Sequence, residues 1–157
     1  MTAHHYTIAL EPFEEAFPDF EPLTRLHYEE MKSRLAAQGI PIGPYKPRFD
    51  VYRQAARDGY LYTFVVRTEA GEAVGHATIY LQQDMHNGEM YAREDTLYVR
   101  PDHRNGVGRR LVKYLLDAMR ERGAKRFVCQ AGTDIRAGKL YKRIGFRPAA
   151  ETMILTY

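Results

Sequence analysis

Residues 94–119 read EDTLYVRPDHRNGVGRRLVKYLLDAM, and their pattern is the most informative in the chain. Its first part, residues 94–100, is rich in β-forming residues and ends before Pro101, which predicts a strand that stops there. A short turn with Gly106 and Gly108 follows. The apolar residues after the turn recur at helical spacing and predict an amphipathic helix. These residues are Val107, Leu111, Val112, Leu115, Leu116 and Met119.

The passage from strand through glycines into helix predicts a binding site for an anion. The first N–H groups of a helix lack partners within the helix, and the helix dipole favours negative charge beside them. Gly106 and Gly108 carry no Cβ, so a phosphate can approach the backbone closely. Arg104, Arg109 and Arg110 add positive charge. The turn lacks the Walker sequence and the third glycine of the dinucleotide motif, so taken alone it is either a pyrophosphate site or a plain tight turn.

The rest of the chain predicts one α/β domain (α+β) over residues 1–157. Strands are expected over 5–10, 61–67, 73–83, 126–131 and 151–157, and helices over 20–38, 50–58 and 135–144. The order is strand, two helices, three strands, helix, strand, helix, strand, which predicts a mixed sheet with helices on its faces.

Composition excludes several classes of protein. Of 157 residues, 45% are hydrophobic and 27% charged, as in a globular protein. No apolar run approaches the length of a membrane span, and the first residues do not read as a signal peptide. The single cysteine, Cys129, excludes a disulfide within one chain and a cysteine-based zinc cage, and it favours the cytoplasm. The histidines show no metal-ligand spacing, so we expect no metal.

Charge is spread unevenly along the chain. Residues 1–30 carry seven acids against one base, and residues 100–126 carry nine bases against three acids. The acidic end therefore faces a cationic partner and the basic segment an anionic one, or both are solvated surfaces that balance each other.

A second motif, DIRAGKLYKRIGF over residues 134–146, supports the pyrophosphate interpretation. With it the chain resembles the GNAT superfamily of acetyl-CoA-dependent N-acetyltransferases. The central motif of that family, a strand ending in V-x-P and then [Q/R]-x-x-G-x-[G/A], corresponds to Val99–Pro101 and His103–Gly108. The family's next motif, N-x-x-A-x-x-L-Y-x-x-x-G-F, corresponds to Asp134, Ala137, Leu140, Tyr141, Gly145 and Phe146.

The resemblance implies a GNAT-like acyl-CoA N-acyltransferase fold, in which the strand before the glycine turn splays from its neighbour. It implies that acetyl-CoA is the co-substrate. The backbone of Leu97 and Val99 would bind the pantetheine amides, with a backbone N–H near Leu97 polarising the thioester carbonyl. The helix start would bind the pyrophosphate through Asn105, Gly106, Val107, Gly108 and Arg109.

Two positions depart from the family pattern. His103 stands where the family has Gln or Arg, so either His103 or the displaced Arg104 would take that role. Asp134 replaces Asn; it can cap its helix but offers no N–H to the cofactor.

The resemblance also implies direct attack by an amine on the thioester in a ternary complex. Tyr141 corresponds to the family's general acid, although a packed helix aromatic is the other interpretation. Glu94 and Asp95 are candidate bases or a solvated strand end, and alternation puts them on opposite faces. A water chain is a further alternative for the base.

The acceptor is expected to be cationic, because the region over residues 17–60 that forms its wall in the family carries acids and aromatics. They are Asp19, Glu21, Glu29, Glu30, Tyr28, Tyr45, Phe49 and Tyr52. Two other functions stay open: a non-catalytic acyl-CoA sensor or docking module, and a basic nucleic-acid binder. We expect acetyl-CoA and an amine as partners, with no nucleic acid and no membrane, and leave a homodimer open.

Overall fold

The computed structural model describes residues 5–132 and 134–157. The elements in chain order are β1 (Tyr6–Glu11), α1 (Phe13–Ala37), α2 (Phe49–Arg57), β2 (Leu61–Thr68), β3 (Ala73–Gln83), β4 (Met90–Val99), α3 (Val107–Glu121), β5 (Arg126–Val128) and α4 (Ile135–Ile144). The strands form one sheet in the order β1-β2-β3-β4-β5. The first four are antiparallel, and β5 runs parallel to β4. The predicted mixed sheet with helices on its faces is confirmed.

Two apolar clusters cover the two faces of the sheet. Helices α1 and α2 pack on one face, where Phe13, Phe20 and Leu23 meet Val65 and Tyr98. Helix α3 packs on the opposite face, and its buried residues meet those of β2, β3 and β4. Alternate residues of each central strand therefore point into different cores, as strand geometry requires.

Helix α1 begins seven residues before the predicted start, although Pro18 and Pro22 lie inside it. Pro18 lies before the predicted start and removes one backbone hydrogen bond, so it favours a later start, whereas Pro22 lies inside both the predicted and the observed helix. Burial of the aromatic residues Phe13 and Phe20 outweighs that loss. No helix among the described residues has both the length and the apolar character needed to cross a membrane.

The predicted strand over residues 151–157 is wrong. These residues are exposed to the solvent and belong to no strand, and β5 ends at Val128 rather than at residue 131. The β-forming composition of this segment is a local property, whereas a strand needs a neighbour with free backbone groups. The three-residue β5 offers only a short edge for such pairing.

A β-bulge in β4 changes the direction of its side chains. Thr78 of β3 pairs with Thr96, but the next residue, Ile79, pairs with Glu94, so Asp95 is the extra residue. Asp95 and Thr96 consequently both contact Thr78 on the face covered by α1 and α2. Glu94 points to the opposite face, toward α4. The predicted alternation thus holds between residues 94 and 95 and fails between 95 and 96.

Candidate active site

The far edge of β4 is open along its second half. Pairing with β5 ends at Arg93 and Val128, while β4 continues to Val99. Arg100 donates its N–H to Val74 of β3, so strand alternation turns the backbone groups of Val99 and Leu97 to the open edge. The structure therefore leaves a slot beside Leu97 and Val99. These are the two residues whose backbone groups are expected to bind pantetheine.

The N-terminus of α3 lies at the end of this slot. Gly106 is the N-cap residue, with a φ of 98° that favours glycine, and no side chain caps the helix. The first turn contains no acid, and the exposed Arg109 forms no ion pair with any described residue. An ideal Cβ built on Gly108 would lie 4.0 Å from Leu140 Cδ2, its nearest neighbour, so the surface there is open. This helix start fits an anion.

The residues just before α3 are held by the protein itself. The guanidinium of Arg104 donates to the carbonyl oxygen of Val99 at 2.7 Å and forms an ion pair with Glu30 at 3.1 Å. His103 receives a hydrogen bond from Arg100 on Nε2 and shares one with the Tyr6 hydroxyl on Nδ1. Arg104 therefore lies at the slot, on the backbone of β4, and His103 is directed to β1.

Glu94 and Tyr141 form a hydrogen-bonded pair across 47 residues of sequence, in which Tyr141 is buried and Glu94 is partly buried. The Tyr141 hydroxyl donates to Glu94 Oε2 at 2.8 Å. Burial, with a smaller contribution from the charge of Asp95, raises the pKa of Glu94 to about 7. Burial and the charge of Glu94 raise the pKa of Tyr141, so its phenol keeps its proton at neutral pH. The pair combines a carboxyl group that titrates near neutrality with a phenol that can donate.

Asp95 has a different environment from that of Glu94. Its Oδ2 accepts hydrogen bonds from the Tyr52 hydroxyl at 2.7 Å and from Thr78 Oγ1 at 3.2 Å. The side chain is exposed and forms no ion pair with the described residues. A small cavity lies beside it, between the sheet and helices α1 and α2. Aromatic rings and threonines line this cavity: Phe13, Phe20, Phe49, Tyr52, Thr24, Thr78 and Thr96.

Asp134 caps α4, as its position in the sequence predicts. Its Oδ1 accepts from the backbone N–H groups of Arg136 and Ala137. These contacts, together with the charges of Arg136 and Arg34, lower the pKa of Asp134 although burial opposes the shift. The carboxylate orients the helix that carries Tyr141.

A cluster on α1 that the sequence analysis did not recognise contacts β4. The Tyr98 hydroxyl donates to Glu30 at 2.8 Å, and the ring of Tyr98 stacks on His27 with centroids 5.5 Å apart. Burial, followed by the charge of Arg34, lowers the pKa of His27. His27 and Glu30 lie one helical turn apart on α1, and that spacing was the available signal.

Most acids of the expected acceptor wall are neutralised within the chain. Asp19 pairs with a basic residue of β2, Glu21 with one on its own helix, and Glu30 with two arginines. Glu29 is exposed and forms no ion pair with the part of the chain that the structure describes. The wall is therefore less negative than its composition suggests.

Two further observations concern chemistry at the site. Burial raises the pKa of the Cys129 thiol to about 12, which leaves it a poor nucleophile. Within residues 5–132 and 134–157, no group of three or more His, Cys, Asp or Glu side chains is arranged to hold a metal ion.

The fold and the slot define an acyl-CoA-dependent transferase, and the comparison with known families agrees. The sequence model of the acetyltransferase (GNAT) family matches residues 9–146. The chain belongs to this family and is an acetyl-CoA-dependent N-acetyltransferase. Among curated proteins, no sequence matches the chain.

Solved structures share the fold along nearly the whole chain. A ribosomal-protein-alanine N-acetyltransferase from Brucella melitensis biovar Abortus 2308 has a TM-score of 0.72 and 22% identity, covering 98% of this chain and 100% of its own. An aminoglycoside acetyltransferase from an uncultured soil metagenomic sample has a TM-score of 0.73 and 22% identity, covering 98% and 99%. An acetyltransferase from Trypanosoma brucei has a TM-score of 0.70 and 17% identity, covering 98% and 100%.

Proposed function

We propose that this enzyme acetylates a primary amine of a cationic acceptor by direct transfer from acetyl-CoA in a ternary complex. The observation that carries the proposal is the Tyr141–Glu94 pair beside the open edge of β4. It supplies a base and an acid at one place, which the two halves of amide formation require.

The co-substrate would lie along the slot with its pyrophosphate at the start of α3. Gly106, Val107, Gly108 and Arg109 would bind the phosphates through backbone N–H groups and positive charge. Asn105, whose backbone N–H donates to the carbonyl oxygen of His103, would lie beside the phosphates at the entry to the helix. The backbone groups of Leu97 and Val99 that face the open edge would bind the pantetheine. Because Arg104 already donates to the Val99 carbonyl, we expect its side chain to move toward the phosphates when acetyl-CoA binds.

In the proposed reaction the acceptor first loses one proton to solvent, and the lone pair of the neutral amine then forms a bond to the carbonyl carbon of the thioester. Glu94 accepts the second proton from that nitrogen as the C–N bond forms, and the C–S bond breaks with its electron pair on sulfur. Tyr141 donates its phenolic proton to that sulfur. The 2.8 Å hydrogen bond lets the proton on Glu94 pass to Tyr141, so both groups regain their starting state in one turnover.

The structural neighbours include enzymes whose names specify a ribosomal-protein alanine and an aminoglycoside. Both are amine acceptors, which agrees with the proposed reaction class. An identity of 22% carries neither acceptor over to this chain. We also propose that residues 1–157 form one catalytic domain that works in the cytoplasm, because a single unpaired cysteine suits a reducing compartment.

The test is an acceptor screen in which release of the CoA thiol is followed with acetyl-CoA and a panel of amines. The panel would hold diamines, polyamines, aminoglycosides, and peptides with free N-termini or lysines. Thiol release that requires a cationic amine and yields the N-acetyl product supports the proposal. Tight acetyl-CoA binding without transfer to any amine would favour a non-catalytic CoA-binding sensor instead.

A further inference from the structure

The bulge in β4 produces two adjacent carboxylates with separate surroundings. Glu94 lies on the α4 side with Tyr141, and Asp95 lies on the α2 side with Tyr52. Neither carboxylate forms an ion pair with a described residue. Both flank the edge of β4 from which β5 has departed, because the pairing of the two strands ends at Arg93.

Tyr52 and Thr78 hold Asp95 in place through one oxygen only. Both donate to Oδ2, while Oδ1 has no hydrogen-bond partner among the described residues. The second oxygen of a fixed, exposed carboxylate is available to a ligand that donates. A cationic N–H donor gains the most there, since charge-assisted hydrogen bonds are the stronger ones.

The surroundings of Asp95 are aromatic. The ring of Tyr52 lies nearly parallel to that of Phe13, with centroids 6.2 Å apart, and the rings of Tyr60 and Tyr80 are stacked at 6.1 Å. Tyr80 is close enough that the charge of Asp95, after burial, raises the pKa of its phenol. Aromatic faces beside a carboxylate favour an alkylammonium group, whose charge meets the carboxylate and whose carbons meet the rings.

The buried polar groups on this face lie beside a cavity that has room for about one ordered water. Thr63, Thr78 and Thr96 form a row across β2, β3 and β4. The Thr63 hydroxyl is buried and has no hydrogen-bond partner among the described residues. Thr78 and Thr96 line the cavity that adjoins Asp95.

We infer that Asp95, positioned by Tyr52, binds a second cationic nitrogen of the acceptor, distinct from the amine that Glu94 and Tyr141 process. The substrate class is therefore an amine with at least two cationic groups, which reaches both carboxylates around the open edge of β4. This inference rests on the proposed function. It places the negative charge that selects the acceptor on β4 rather than on α1, where most acids are already paired.

The experiment compares α,ω-diamines of three to eight carbons with monoamines of the same length, using acetyl-CoA at saturation and pH 8.5. Each monoamine offers the same reacting nitrogen and lacks only the second charge. Wild-type enzyme is expected to show a KM for the best diamine at least tenfold below that of its monoamine. Asp95→Asn should raise the diamine KM about tenfold or more while leaving the monoamine KM and the acetyl-CoA KM unchanged.

Two further variants sharpen the result. Tyr52→Phe removes the hydroxyl that fixes Asp95 and should give an intermediate loss of diamine preference. Glu121→Gln removes one negative charge from the exposed end of α3 and should leave the preference intact. The inference is overturned if wild-type enzyme prefers no diamine over its monoamine, or if Asp95→Asn weakens both classes equally.

If no amine is acetylated, the proposed function fails, and the inference is still tested by binding. Titration calorimetry would then compare 1,4-diaminobutane and 1-aminobutane with the wild-type protein and with Asp95→Asn, each saturated with CoA. Tighter diamine binding that disappears in Asp95→Asn supports the subsite. Equal binding by the two proteins, or no binding by either, overturns it.

Discussion

Replacement of Glu94 by glutamine should make the protein more stable at neutral pH and much less active. The structure raises the pKa of Glu94 from 4.5 to about 7, chiefly by burial. A group whose pKa is raised on folding binds its proton more tightly in the folded state. The free energy of unfolding therefore falls as pH rises from about 4.5 to about 7. Glutamine has no charge to bury, and its side-chain oxygen can still accept from Tyr141.

The expected size follows from the shift itself. At about 1.4 kcal/mol for each pH unit, the charged carboxylate costs the folded enzyme roughly 3 kcal/mol above pH 7. The difference in free energy of unfolding between Glu94→Gln and wild type should therefore rise by about that amount between pH 4.5 and 8. The comparison is made between two pH values because the free-energy cost of burying the glutamine amide is the same at both and cancels in the difference.

Urea unfolding of both proteins at half-unit steps of pH measures this difference, and the wild-type rate profile checks the catalytic role. The wild-type rate should rise with pH through an inflection near 7. The glutamine variant should lose that inflection and fall about 10²- to 10⁴-fold in turnover. A stability difference that stays constant from pH 4.5 to 8 would refute the buried-charge reasoning. A variant with full turnover would remove Glu94 as the base.

Two other substitutions test the acid and the phosphate site. Tyr141→Phe should leave acetyl-CoA affinity nearly intact and lower turnover about ten- to a thousandfold. Unchanged turnover at every pH would mean that Tyr141 only packs against its neighbours and is not the general acid. Tyr141→Phe should also move the rate inflection of Glu94 to higher pH. The hydrogen bond from Tyr141 lowers the pKa of Glu94 in the wild-type enzyme, so its removal raises that pKa. Gly108→Glu should abolish the rise in Tm that acetyl-CoA produces, by placing a carboxylate where the phosphates bind. Gly108→Ala should fold and keep part of that rise, because its Cβ adds bulk but no charge. If the folded glutamate variant binds as well as wild type, the phosphates lie elsewhere.

Most of the secondary structure, and the resemblance to the GNAT family, could be predicted from local sequence patterns. Periodicity and glycine placement are local properties, so the sequence correctly predicted the strand before Pro101, the glycine turn and the amphipathic helix α3. The sequence also predicted the cap at Asp134 and the end of α4 at Gly145, for the same reason. Predictions from local sequence were wrong where tertiary contacts determine the structure, as at the start of α1 and over residues 151–157.

The grouping of the site residues depends on contacts between segments that are far apart in the sequence. Sequence alone could not reveal that Tyr141 bonds Glu94, that Arg104 pairs with Glu30, or that Asp95 faces Tyr52. Each of these contacts joins residues 43 to 74 positions apart, and it exists because the sheet and helices bring distant segments together. The bulge is the clearest case. One extra residue in β4 turns Asp95 and Thr96 to the same face, and no alternation rule applied to the sequence could have placed them there.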